Sequence, residues 1–302
     1  MKIKSPVTGS YNTSVVREIS VSKIVALYNE ELRFDIGRYF HGLENIQLYR
    51  CDDTGYRFYY PVDIFGDDAF YQHLQGFENY YPSEKWEYEA VAGLIPEDSD
   101  VLEIGSGGGH FLQLAAQKIK NVRLRGIELN SKAVEEARAK GFDVTEETIE
   151  GFAKANTERF DVVCSMQVLE HITDVRSFIL ASLQALKKGG RMIVCVPNNN
   201  PYLYRQDFYH TLNLPPHHAG LWNKEAFGSL PRYFPMKIGS VRIEPLRDYK
   251  KWYQTQVNYF KEKGSILSGV LSLIPRPVYK APLILLRHHI EGRNILVEFV
   301  KQ

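Results

Sequence analysis

Few cysteines, almost no net charge and no long apolar run mark this sequence, and each shortage removes a class of protein. Three cysteines in 302 residues, Cys51, Cys164 and Cys195, cannot build the disulfide framework that staples small secreted domains. Cys164 and Cys195 stand inside apolar strand-like runs, where a small thiol packs as a hydrophobe, so a reducing cytoplasm is the expected location. Lys plus Arg number 37 and Asp plus Glu 36, which leaves no global field to draw the chain onto nucleic acid or an anionic membrane. An unbroken apolar stretch of about 20 residues, the length that spans a bilayer, is also missing. The nearest approach, 266–286, is interrupted by Pro275, Arg276, Pro277, Lys280 and Pro282. The opening MKIKSPVTGS has no apolar segment of the signal-peptide kind. No integral membrane span and no nucleic-acid partner are expected; peripheral contact through 266–286 stays open. Internal repeats and low-complexity tracts are not evident.

What is present suffices for a globular core: 44% of the residues are hydrophobic, an ordinary share for a folded domain. Residues 1–78 are rich in Tyr, Asp and Arg, with period-two runs at 46–50 and 56–60 that predict short antiparallel strands. The segment 80–94 has helical apolar spacing and stops before Pro96. From Asp100 onward strands alternate with helices. Strands are predicted at 101–104, 123–127, 142–145, 160–165 and 191–196, and helices near 110–120, 131–140 and 175–186. Ser131 is the expected N-cap of the second helix, and Gly189-Gly190 the expected end of the third. Such alternation implies a parallel sheet covered on both faces. Two more strands are predicted at 237–244 and 294–300, with Gly292 turning into the second and a partly helical insertion at 249–291 between them. The fold class is therefore α/β, a doubly wound, mostly parallel seven-stranded sheet. Its expected divisions are a β-rich region at 1–78, a cofactor domain at 79–248, a helical insertion or lid at 249–291, and a last strand at 292–302.

The sharpest chemical signal is Val101-Leu102-Glu103-Ile104-Gly105-Ser106-Gly107-Gly108-Gly109. A strand running into a glycine-rich turn ahead of a helix lets backbone approach a ligand that side chains would block. Taken alone it could be an ordinary tight turn. The dinucleotide fingerprint needs its third glycine at position 110, where His110 stands. Glu103 closes the first strand, where a carboxylate can face a cationic group. Glu128 ends the next strand, where an acidic residue accepts hydrogen bonds from ribose hydroxyls.

With the FDVV strand at 160–163 and the Leu186-Lys187-Lys188-Gly189-Gly190 element before the fifth strand, this ordered set resembles the class I S-adenosylmethionine-dependent methyltransferases. The resemblance covers about residues 97–200. Val168-Leu169-Glu170-His171 is similar to a segment that follows strand four in one broad subgroup. The resemblance implies S-adenosylmethionine as cofactor, bordered by Gly105, Ser106, Gly107 and Gly109. Glu103 would serve the amino end, Glu128 the ribose hydroxyls and Leu129 the adenine. Thr148 and Ile149 would lie beside the adenine, and Met166 and Gln167 beneath the sulfonium. For Thr148, Ile149 and Met166, core packing is an equal alternative.

A sulfonium donor is already activated, so alignment and exclusion of water are what a protein must add. A hydroxyl acceptor needs a base as well. Three histidines qualify: His171 after strand four, and His217 and His218 in the Pro215-Pro216-His217-His218 run after strand five, at the edge where such sheets bind substrates. The plain alternative is that they cap or order their loops. A similar Pro-Pro-His-His run occurs in methyltransferases of sugar and surface-polysaccharide pathways, so the expected acceptor is a small molecule, a sugar or glycan precursor. An aromatic or lipid-linked acceptor, a nicotinamide-dependent oxidoreductase and a non-catalytic binder are the alternatives.

The segments Ser5-Pro6-Val7-Thr8-Gly9 and Cys51-Asp52-Asp53-Thr54-Gly55 resemble the halves of a zinc ribbon that precedes some such enzymes. Three of the four ligand positions carry hydroxyls, which are poor zinc ligands beside thiolates; no metal is expected there. Tyr80, Tyr81 and Trp86 either close over the cofactor or pack their helix. The insertion at 249–291 suits a homodimer interface or a lid.

Overall fold

A computed structural model describes residues 3–75, 85–199 and 209–302. In chain order the strands are β1 (Thr13–Ser20), β2 (Asn45–Cys51), β3 (Arg57–Tyr60), β4 (Asp100–Ile104), β5 (Arg123–Glu128), β6 (Val144–Glu146), β7 (Phe160–Met166), β8 (Leu186–Pro197), β9 (Gly220–Leu221), β10 (Met236–Pro245) and β11 (Glu291–Lys301). The helices are α1 (Val21–Leu32), α2 (Asp68–Gln75), α3 (Trp86–Ala92), α4 (His110–Lys118), α5 (Ser131–Ala139), α6 (Ile149–Ala155), α7 (Val175–Ala185), α8 (Lys224–Ser229), α9 (Tyr249–Glu262), α10 (Ile266–Leu273) and α11 (Arg276–Leu286).

The main sheet has the order β10-β11-β8-β7-β4-β5-β6. Strands β4 to β8 pair in parallel, and β11 is antiparallel to both β8 and β10. Its central strands are apolar on both faces: in β7, Val162 and Cys164 join one core cluster and Phe160 and Val163 the other. That two-sided burial is what a sheet covered by crossover helices requires. The order reverses at β4 and β7, opening a crevice at their C-terminal ends where ligands of such sheets sit.

A second, antiparallel sheet, β1-β2-β3-β9, is built from the N-terminal region and one strand that comes from beyond residue 200. Helix α1 packs on it through Val21, Ile24 and Tyr28, a helical apolar spacing. The β-rich expectation for 1–78 therefore needs correcting to a mixed α and β region. Leu214 and Leu221 complete its core, so the loop carrying the two adjacent histidines belongs to this small body as much as to the main one.

Several local expectations shift. The N-cap of α5 is Asn130, whose side chain accepts from the Ala133 N–H; Ser131 is already inside the helix. Helix α7 ends at Ala185, because Leu186 is extended and starts β8. Gly189, at φ +76°, then serves the register shift of β8 against β7 and does not end a helix. Lys187 beside it is drawn to Asp161 and Asp100. Strand β6 begins at Val144, two positions after the predicted start. Gly292 lies inside β11, where a Cβ would come within 2.2 Å of the Glu244 carbonyl oxygen; close approach, and not a turn, explains it. Of the helix predicted at 80–94, Trp86–Ala92 is observed, with Trp86 packed on the core; Tyr80 and Tyr81 fall outside the described residues.

The insertion between β10 and β11 is the helices α9, α10 and α11. Among the described residues no single helix is long and apolar enough to cross a membrane; Ile266–Leu273 and Pro277–Leu286 meet at a 97° bend.

Strand β11 is the element on which closure of the sheet depends. Phe299 in it is fully buried beside Phe227. Phe299→Ala is expected to cost about 3–5 kcal/mol in urea unfolding; a loss under about 1 kcal/mol would show that this strand is peripheral.

Candidate functional site

Strand β4 delivers the glycine-rich turn to the crevice. Gly105, Gly107 and Gly109 have φ of +72°, +51° and +79°, a region side chains rarely adopt. A Cβ on Gly105 would lie 2.4 Å from Val168 Cγ2, while around Gly107 nothing lies within 4 Å. One glycine is thus demanded by packing and the other by backbone angle beside open space. The Gly105 and Ser106 N–H groups both donate to the Ile127 carbonyl, at 2.8 and 3.1 Å, which ties the turn to β5.

Glu128, at the end of β5, has its carboxylate fixed from three sides. Oε2 accepts from the Gly107 N–H at 2.9 Å, and Oε1 from the Leu129 and Asn130 N–H groups at 2.8 and 2.9 Å. Oε2, which accepts a single bond, keeps acceptor capacity, so the carboxylate is held in place yet able to receive a hydroxyl. Leu129, 60% exposed, stands next to it as an uncovered apolar side chain.

Glu103 is buried, and its Oε2 has no hydrogen-bond partner among the described residues. Burial, and then the nearby charge of Glu128, push its carboxyl well above the usual range. A buried carboxyl without a partner is costly; an ammonium arriving at the turn would supply the missing donor. The buried Ser106 hydroxyl is likewise unpartnered. These orphaned atoms and the open turn fit the amino-acid end of S-adenosylmethionine, and the positioned Glu128 fits its ribose.

The remaining expected cofactor residues divide. The Thr148 hydroxyl accepts from the Gly151 N–H and caps α6, and Ile149 is buried in the main core. Met166 is buried among Val101, Phe111 and Cys195. Gln167 has the left-handed φ of +57°, donates its N–H to the Cys195 carbonyl, and lines a cavity with its side chain. Strained backbone of this kind collects at functional positions.

That cavity, about 470 Å³, opens beside the ends of β7 and β8 and is bordered by the start of β11 and the loop after β10. His217 and His218 line it. The three sequence-predicted histidines come together: their ring centroids are 4.6–5.0 Å apart. His171 Nδ1 faces the His217 carbonyl at 2.7 Å, His217 Nδ1 the Leu212 carbonyl at 2.8 Å, and His218 Nδ1 the Asn213 Oδ1 at 3.0 Å. Each oxygen partner calls for an N–H, which places the proton on Nδ1 and the lone pair on Nε2. Burial drives all three below the ordinary histidine value, His171 to about 4, so they are neutral at pH 7.

Sequence reasoning missed the residues that hold this cluster. Tyr28 and Tyr59 donate to the carbonyls of Leu214 and Asn213, and the Tyr71 hydroxyl reaches His171 Nδ1 at 3.3 Å. Glu170 is fully buried, with neither carboxyl oxygen hydrogen-bonded among the described residues, and burial pushes it up to about 8. Asn198, Asn199, Asn213 and Asn294 line the cavity. The Asn198-Asn199 pair directly after β8 was the one available signal, since it sits at a strand's C-terminal end.

The positions that resemble a zinc ribbon form a hydrogen-bonded turn pair. The Ser5 hydroxyl accepts from the Val7 and Thr8 N–H groups, the Thr54 hydroxyl accepts from the Tyr56 N–H, and the Thr8 hydroxyl lies 3.9 Å from Cys51 Sγ.

A family model described as a methyltransferase domain matches residues 78–233, and the chain belongs to this family of S-adenosylmethionine-dependent methyltransferases. The ubiquinone biosynthesis O-methyltransferase of Serratia proteamaculans is 32% identical over 109 residues, covering 34% of this chain and 44% of that protein. The protein of the same name from Hahella chejuensis is 34% identical over 107 residues, covering 33% and 44%. The chain thus spans less than half the length of these curated relatives. A chain from the complex of the Haloferax volcanii Trm112 methyltransferase activator with its methyltransferase superposes with a TM-score of 0.50 at 14% identity, covering 78% of this chain and 94% of its own; that likeness shows the fold.

Replacing Glu128 tests the placement of the ribose. Glu128→Ala is expected to weaken S-adenosylhomocysteine binding by one to two orders of magnitude in calorimetry, since a charge-assisted contact contributes about 1.5–3 kcal/mol. Glu128→Gln should fall between. Unchanged affinity in both would put the ribose elsewhere.

Proposed function

We propose that this chain transfers the methyl group of S-adenosylmethionine to a hydroxyl of a small polar acceptor, a sugar or glycan precursor, seated in the cavity beside the histidine cluster. The observation that carries this reading is the character of the cavity wall. Most of its lining residues are amides (among them Gln167, Asn199, Asn213 and Asn294) or charged groups (among them Glu244 and Arg293), and no Phe, Tyr or Trp lines it among the described residues. Amides offer paired donors and acceptors that match a polyhydroxylated ligand, whereas a flat aromatic acceptor would call for apolar or stacking walls.

The cofactor brings an activated methyl group. The protein's part is to hold the acceptor oxygen in line and to handle its proton. The neutral imidazoles are the bases at the cavity for that proton; His218 and His217 border the acceptor space, and His171 stands edge-on to both rings. The three buried, free thiols suit a reducing cytoplasm. Helices α10 and α11 leave Ile266, Leu273 and Leu285 more than 80% exposed beside Lys261, Lys263 and Lys280. An apolar tip with cationic flanks suits peripheral contact with an anionic bilayer better than a homodimer, in which the flanks would meet each other.

The test is release of S-adenosylhomocysteine with a panel of sugars, nucleotide sugars and catechols. A sugar-class acceptor should turn over, and Arg293→Ala should raise its KM by about tenfold or more with the KM for S-adenosylmethionine unchanged. Turnover of catechols alone would refute the acceptor class.

A further inference from the structure

We propose that His171, His217 and His218 form a binding site for a divalent transition-metal ion of the zinc class, open toward the acceptor cavity. One ring nitrogen from each of the three lies within 4.8 Å of the others. Ligands about 2.0–2.1 Å from a zinc ion stand roughly 3.4 Å apart in tetrahedral geometry, so closing on an ion asks each imidazole to move about an ångström.

Two features beyond proximity support the assignment. The first is the outer partners. Each Nδ1 is engaged by an oxygen: the His217 carbonyl, the Leu212 carbonyl and Asn213 Oδ1. Metal-bound histidines are oriented in this way, with one nitrogen donating to an oxygen and the other facing the ion. The Asn213 amide is itself fixed, its Nδ2 donating to Asn199 Oδ1 at 2.6 Å, so the partners form a chain and not a set of chance contacts.

The second feature is Glu170. It is 1% exposed, neither carboxyl oxygen has a hydrogen-bond donor among the described residues, and Oε1 lies 3.9 Å from His171 Nε2. A buried carboxyl with no partner is expensive; a dication held by the neighbouring imidazoles would give its oxygens one. The site therefore offers three imidazole ligands, a neighbouring carboxyl and, where His217 and His218 line the cavity, an approach for one further ligand. Three protein ligands with one position left open is the arrangement of catalytic and not structural zinc.

A hydroxyl bound at that position would give up its proton to solvent in the open cavity more readily, which is what a hydroxyl acceptor requires. This assignment rests on reading the cavity as the acceptor site, and it makes an ion, in place of a bare imidazole, the group that meets the acceptor oxygen.

The experiment uses the full chain, freed of metal by chelator and dialysis, then titrated with zinc and with cobalt(II). Zinc is read by elemental analysis and cobalt by its visible absorption. The expected result is one equivalent of either ion, with affinity lowered at least tenfold in both His171→Gln and His218→Gln. Both variants should bind S-adenosylhomocysteine as the parent does, which shows that they are folded. Cys51→Ser, at a position that resembles a zinc ribbon, should retain the ion. Absence of bound ion in the parent, retention in both histidine variants, or loss in Cys51→Ser would each overturn the assignment. Metal stoichiometry is read with no acceptor present. A failed acceptor assay therefore leaves this result standing, and a failed titration leaves the acceptor assay intact.

Discussion

The segment from Leu214 to Trp222 is held from two sides, and the site depends on that double grip. From the small sheet, β9 pairs with β3, the Tyr59 N–H donates to the Ala219 carbonyl, and the Gly66 N–H donates to the Pro216 carbonyl. From the main body, the Glu170 carbonyl accepts the Ala219 N–H, and the Trp222 carbonyl accepts the Asn199 N–H. A loop crossing the mouth of a crevice would ordinarily be mobile. Here its ends are sheet and core, so His217 and His218 have fixed positions against His171. The N-terminal region thus acts as a brace for the loop that carries His217 and His218.

The cofactor half is organised by a different constraint. A turn with three glycines at positive φ has no side chains of its own to define a ligand's pose, so definition must come from carboxylates on the flanking strands. Glu128 is immobilised by three backbone N–H groups, and Glu103 waits buried without a partner. The orphaned Glu103 oxygen is a cost in the unliganded protein that a cationic ligand relieves, and the fixed Glu128 spares a hydroxyl-bearing ligand the ordering of its partner, which is how preorganisation favours binding.

The residues from Glu103 to Val196 made their own fold legible, because strand–turn–helix alternation leaves a strong local signal: apolar runs for strands buried on both faces, and glycine at the crossings. Boundaries were misplaced where tertiary contacts overrode local preference. Gly189-Gly190 looks like a helix end, yet the pull of Asp161 and Asp100 on Lys187 extends β8 through it. Helix α1 was hidden among period-two runs although Val21, Ile24 and Tyr28 spell a helical face. The site divided in the same way. Glu128 and the histidines could be nominated from their positions after strands. Tyr28, Tyr59 and Tyr71 could not, because their partners lie between 100 and 186 residues away in sequence, and only the folded chain reveals that they support the histidines.

At the centre of this account is a glycine-rich turn shaped for S-adenosylmethionine and not for a dinucleotide, with His110 where the third fingerprint glycine would stand. The direct measurement is calorimetric titration of the purified chain with S-adenosylhomocysteine and, separately, with NADH. Saturable binding of one S-adenosylhomocysteine per chain, with no heat from NADH, is the predicted result. Binding of NADH in place of S-adenosylhomocysteine would contradict it.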